Sequence, residues 1–190
     1  MMSHMVPAGF ELRPLESHQD DRGSFTEVFR ESWWPGVEPV QWNVVRSTAG
    51  TLRGLHVHVV HQDVYILAQG SATLGLRDVR NGSPTEGCAV TVRLTGSELT
   101  VAVIPRGVLH GIVFDEPSLL VVGVTSYYDP ADDIECLWSD PALGIDWPQP
   151  PTVISERDAA APPLSVVLEQ LQLWQPIGGE PSSQAPARGA

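Results

Sequence analysis

Apolar and polar residues alternate along most of this chain, and helical periodicity is nearly absent. Alternation at period two sends successive side chains to opposite faces of a strand, so each such stretch predicts a half-buried strand. Ala72–Val79 (ATLGLRDV), Ala89–Leu94 (AVTVRL), Leu99–Ile104 (LTVAVI) and Leu119–Val124 (LLVVGV) fit this pattern and are rich in Val, Leu, Ile and Thr. Turn clusters separate them: RNGSP at 80–84, TGSE at 95–98, PRG at 105–107 and DEPS at 115–118. Short strands divided by turns at roughly ten-residue intervals predict an antiparallel sandwich or barrel, jelly rolls included. The single helical signal is Leu164–Trp174, with Val167, Leu168, Leu171 and Trp174 on one face. The expected organisation is a disordered leader (1–5), a β domain (6–163), a helix (164–176) and a disordered tail (177–190) rich in Gly, Pro, Ser, Gln and Ala.

Composition narrows the function. Within 190 residues, 11 basic side chains face 23 acidic ones, a formal charge of −12. That balance argues against nucleic-acid binding, which needs clustered cations. No apolar run reaches the ~18 residues of a membrane-spanning helix. The start of the chain also lacks the layout of a signal peptide. Cys88 and Cys136 form neither a disulfide framework nor a CxxC site, so burial and a reducing cytoplasm are expected. All 11 basic residues are arginine. Without lysine, Schiff-base chemistry and a phosphate-loop lysine are excluded.

Candidate chemistry concentrates in Gly50–Gly70 (GTLRGLHVHVVHQDVYILAQG). His56 and His58 stand two apart on an expected strand and so face one side of it. Asp63 follows after four residues, and His110 closes a later PRGVLH segment just after an expected strand and turn. This spacing resembles the two motifs of metal cupins, in which three histidines and a carboxylate hold one divalent metal. The corresponding set is His56, His58, Asp63 and His110, although Asp63 is one methylene shorter than the usual Glu. A polar pocket without metal is the competing reading.

Taken together, DRGSFTEVF (21–29), QWN (41–43), LRGLH (52–56), DVRNGSPTEG (78–87), IPRGVLHG (104–111), SYYDPADD (126–133), SDPALGIDWP (139–148) and SERDAAAPPL (155–164) resemble the dTDP-4-dehydrorhamnose 3,5-epimerase family. The resemblance implies an all-β fold, a double-stranded β-helix or jelly-roll cupin with a short C-terminal helix. It implies an isomerase of deoxysugar biosynthesis acting on a dTDP-linked 4-keto-6-deoxyhexose, with His56 removing a proton alpha to the ketone. Asp158 would orient His56, and Arg22 and Arg53 would bind the diphosphate. Phe25, Glu27, Gln41 and Asn43 match positions around the nucleotide, and Tyr128 one beside the sugar. No cofactor is implied, one divalent metal being the alternative. The expected partners are a sugar nucleotide and a second copy of the chain, in a homodimer that exchanges N-terminal strands.

Three positions depart from the family pattern. Asp63 stands where the family has an enolate-stabilising lysine, His58 where it has glutamine, and Val122 where it has the general-acid tyrosine. Base and orienter persist while cation and acid are replaced, so epimerisation at one carbon only enters the picture. A metal-dependent cupin enzyme of natural-product metabolism and a non-catalytic sugar-nucleotide binding module are the other readings. Tyr65 either replaces the lost phenol or serves as a core aromatic. His61 and the DPADD segment (129–133) are expected to be solvated, and Trp33, Trp34 and Trp42 to be packing residues.

Overall fold

In a computed structural model of the protein, residues 5–173 are described. The expected tail, the end of the expected helix from Trp174 and all of the expected leader except Met5 lie outside them. Two five-stranded antiparallel sheets face each other. The first runs β1 (Glu11–Pro14), β9 (Thr100–Ile104), β6 (Asp63–Gln69), β11 (Ser118–Val124), β4 (Gln41–Ser47). The second runs β12 (Ile134–Glu135), β5 (Leu52–Val57), β10 (Val108–Phe114), β7 (Ser71–Asp78), β8 (Ala89–Thr95). Neighbours in space are mostly distant in sequence, as a jelly roll requires. Four of these strands coincide with the alternating segments within a residue or two. His110 follows β9 and the turn at 105–107, as expected, and is the third residue of β10, which is buried throughout.

The burial pattern assigns the faces. Leu67, Leu74, Leu76, Ala102, Ile104, Ile112, Phe114 and Leu120 fill the space between the sheets. Helix α2 (Leu164–Leu173) covers the outside of the second sheet, burying Leu164 and Val167 against Leu55, Val57, Leu109 and Cys136. Leu168 and Leu171 join that contact, as the helical periodicity predicts. On the outside of the first sheet, Trp34 stacks on Phe29 at 5.5 Å and the Arg13 guanidinium lies over the Trp33 ring. The Trp42 ring meets Phe29 edge-on, so all three tryptophans are packing groups. Both cysteines are buried, and burial pushes the Cys136 thiol up to about 12. No helix among the described residues is long and apolar enough to cross a membrane.

A bulge in β5 sets the active face. His110 pairs with His56, but Gly111 pairs with Gly54, so Leu55 is the extra residue. Residues directly opposite each other share a face, which puts Arg53 and His56 together with Ile112 and His110 on the interior side. Without the bulge, positions three apart would point in opposite directions. Glycine is required at this step. Gly54 has φ +109°, and a Cβ there would come within 2.7 Å of the Gly111 Cα and 2.9 Å of the His110 carbonyl.

The hairpin β2 (Ser17–Asp20) and β3 (Gly23–Thr26) forms a separate two-stranded sheet, almost wholly exposed.

Candidate active site

The interior face between the sheets is apolar at one end and polar at the other. Register fixes the polar end: Val124 stands opposite Gln41 and Asp63, and Val122 opposite Asn43 and Tyr65. Arg53, His56 and His110 stand on the interior side of the facing sheet.

His56 sits between two carboxylates. Its Nε2 is 3.2 Å from Asp158 Oδ1 and its Nδ1 is 3.4 Å from Asp133 Oδ1. Asp158 belongs to the short helix α1 (Glu156–Ala159), which Ser155 caps by accepting the Asp158 N–H at 3.0 Å. Burial raises the Asp158 carboxyl, but the hydrogen bonds with His56 and Ser155 and the nearby Arg157 charge together outweigh that and hold it below the ordinary value. Of the two contacts only the one with Asp158 has hydrogen-bond geometry. An ionised carboxylate only accepts, so the His56 Nε2–H donates to it and Nδ1 is the nitrogen left to take up a proton beside Asp133. Asp133 is in turn held by Arg157, whose Nη2 donates to Oδ2 at 2.5 Å, and Arg157 also pairs with Glu135. The imidazole is thus oriented on one nitrogen and free to take a proton on the other.

The expected metal set does not assemble as its spacing suggested. His58, Asp63 and His110 converge, but His56 turns away to the two carboxylates. The third imidazole is His61, which is buried rather than solvated. The DPADD segment is a solvated turn only over Asp129, Pro130 and Ala131, which are exposed. Asp132 is buried and accepts the Val59 and Val60 N–H groups at 2.7 and 3.0 Å, closing the loop after β5. Asp63 faces the interior, 3.0 Å from His110 Nε2. Burial raises the Asp63 carboxyl, but His110, His58 and His61 together outweigh it and the net shift is downward. Burial above all, with the Asp63 and Asp133 charges adding to it, pushes the Tyr65 hydroxyl well above its ordinary value. Tyr65 therefore remains a proton donor.

The other expected binding residues divide into two groups. Gln41 and Asn43 are joined at 3.0 Å, and Gln41 Oε1 accepts the Tyr128 N–H at 3.1 Å, with the Tyr128 ring exposed. Arg53 is exposed, and its Nε donates to Ser47 Oγ at 3.0 Å. Arg22, Phe25 and Glu27 lie instead on or beside the exposed hairpin. Arg22 pairs with Asp20 and Glu27 with Arg30, and Phe25 is 68% exposed, so it is not a core residue.

The profile of the dTDP-4-dehydrorhamnose 3,5-epimerase family matches residues 7–165. The chain belongs to that family. The dTDP-4-dehydrorhamnose 3,5-epimerase of Pseudomonas aeruginosa is 38% identical over 154 residues, 73% of this chain and 82% of that protein. The 3'-monoepimerase ChmJ of Streptomyces bikiniensis, solved with dTDP-quinovose, superposes with a TM-score of 0.80 at 30% identity, covering 90% and 91% of the two chains. The epimerase of Legionella pneumophila, solved with dTDP-4-keto-L-rhamnose, gives 0.79 at 31% identity over 85% and 91%. The jelly-roll cupin fold and the isomerase class expected from the motifs therefore stand.

His61, Asp132, Asp133 and Arg157 escaped the sequence reading. Asp132 and Asp133 sit in a polar, proline-containing run that looks like any solvated turn. Their role depends on a loop some 70 positions away, which local sequence does not display.

Proposed function

We propose that this epimerase-family protein acts on a dTDP-linked 4-keto-6-deoxyhexose and that His56 Nδ1 removes the proton alpha to the ketone. The observation that carries this reading is the His56–Asp158 pair on the interior face, in a chain whose relatives bear epimerase names. Proton removal makes His56 an imidazolium lying between the Asp133 and Asp158 carboxylates. Its base-and-orienter pair requires no cofactor. The enolate must then be reprotonated. Tyr65, in register with Val122 and protonated at neutral pH, is the donor we assign, in place of the tyrosine that the family carries at Val122.

Gln41, Asn43, Arg53 and Tyr128 would hold the nucleotide and sugar. The position of Arg22, Phe25 and Glu27 on an exposed hairpin favours a homodimer in which they complete the partner's site, since an isolated two-stranded sheet gains little stability alone. A cytoplasmic location, where sugar nucleotides are made and used, goes with this reading.

The test is isotope exchange. Incubation of a dTDP-4-keto-6-deoxyhexose with the enzyme in deuterated water, read by mass spectrometry and NMR, should place deuterium at C3 or C5. Entry at one carbon supports the single-epimerisation reading. No entry at either carbon removes the epimerase assignment for this chain.

A further inference from the structure

We infer that His58, His110 and Asp63, with His61 beside them, form a binding site for one divalent transition-metal ion.

The argument starts from hydrogen-bond capacity. The Nδ1 of His58 lies 2.8 Å from the Asp132 carbonyl, and the Nδ1 of His110 lies 2.9 Å from the Val108 carbonyl. A carbonyl oxygen only accepts, so each Nδ1 carries a hydrogen and each neutral ring presents a bare lone pair on Nε2. Both lone pairs point at the same oxygen, Asp63 Oδ2, at 3.5 and 3.0 Å. The Nε2 of His61 approaches the other oxygen, Oδ1, at 3.6 Å. Its Nδ1 is 2.8 Å from Asp132 Oδ2, in a contact that falls short of hydrogen-bond geometry. Acceptors therefore face acceptors in a place closed to water, where Asp63, His61 and His110 are all at most 4% exposed.

A proton on His110 relieves one of these contacts and leaves the others. Protonating every ring would crowd cations whose ring centres are 4.1 Å (His58 to His61) and 5.4 Å (His58 to His110) apart. A single divalent ion would take up the lone pairs of His58, His110 and Asp63, whose ligand atoms all lie within 4.8 Å of one another. Ligand bonds of 2.0–2.1 Å in a tetrahedron put ligand atoms about 3.3 Å apart, and the Asp63 oxygen stands 3.5 and 3.0 Å from the two imidazole nitrogens. Backbone carbonyls holding the far nitrogens of ligating histidines are the usual support of such sites. Imidazole-rich donors with one carboxylate select zinc, iron, cobalt or nickel over calcium or magnesium. The site adjoins the proposed base, with the His58 ring centre 6.4 Å from that of His56. A bound ion there would reverse the sign of the charge that Asp63 introduces.

The experiment needs no substrate, so its failure is separate from failure of the epimerase reading. Full-length protein purified without a metal column or chelator is analysed for metal content. It is then stripped and titrated with Zn2+ and Co2+, following the visible bands of Co2+ and the shift in Tm. One equivalent should bind at micromolar metal and raise Tm. Asp63→Asn and His110→Gln should each weaken binding at least about tenfold, while His56→Asn, outside the ligand set, should bind as the wild type does. Circular dichroism confirms that each variant is folded, and a variant that does not fold is replaced by His58→Gln. Absence of binding at micromolar metal overturns the proposal. So does undiminished binding by folded Asp63→Asn, or loss of binding in His56→Asn.

Discussion

Tyr65 and Val122 stand directly opposite each other on β6 and β11, with both side chains turned into the space between the sheets. The phenol missing from β11 therefore has a counterpart one strand away, 5.7 Å from the His110 ring. Burial and two nearby carboxylates keep it protonated. Tyr65→Phe should lower kcat by roughly 100-fold, the lower range for losing a positioned acid, with little change in KM. Deuterium wash-in should persist in this variant, because proton removal belongs to His56. Equal loss of wash-in and turnover would place Tyr65 outside the acid role.

The base itself yields a sharper prediction. His56→Asn should abolish deuterium entry without weakening dTDP binding. Asp158→Asn keeps the shape but donates where the carboxylate accepted, so it selects the wrong imidazole tautomer. A fall in kcat of about 1,000-fold or more is expected by analogy with other base-orienter pairs. Titration calorimetry with dTDP checks that the nucleotide site survives in both.

The strands were legible because burial on one face leaves a period of two, and α2 because Val167 and Leu171 recur at helical spacing. The dyad was legible only through resemblance, since 102 positions separate its members. What stayed hidden depends on closure between loops. His61 and Asp132 are each polar residues in turn-like runs, and each is buried only because the other segment folds over it. The β5 bulge was equally invisible, since GL within LRGLH reads as one more alternating pair until the partner strand is known. That single inserted residue decides whether Arg53 and His56 share a face.

Gly54 tests that last point. Its positive φ is strained for any other residue, and a Cβ would press on backbone, which yields less easily than a side chain. Gly54→Ala should cost about 1–3 kcal/mol in chemical denaturation. Restoring a flat β5 to relieve the clash would turn His56 away from Asp158, so activity should fall far more than the loss of folded protein explains. A variant that is less stable but fully active per folded molecule would show that the bulge does not aim the base.

Asp78 offers a test of stability away from the active site. Its side chain is fully buried at the end of β7 and accepts from Arg80 Nε at 2.8 Å, Arg80 Nη2 at 2.7 Å, Ser83 Oγ at 2.7 Å and Thr85 Oγ1 at 2.5 Å. Burial raises its carboxyl, but these donors prevail and hold it well below the usual range. A depressed folded-state pKa means that the unfolded chain takes up the proton first. The stabilisation is therefore complete above the ordinary carboxylate value of about 4 and is lost progressively as pH falls below it. Asp78→Asn should cost about 3 kcal/mol at pH 7, the lower range for removing one partner of a buried pair. Urea unfolding of both proteins between pH 7 and 3 should show the gap narrowing toward acid, because the unfolded wild type is stabilised by taking up a proton at Asp78 and the variant is not. A gap that stays constant over that interval would mean that the Asp78 charge contributes nothing and that shape alone explains the loss.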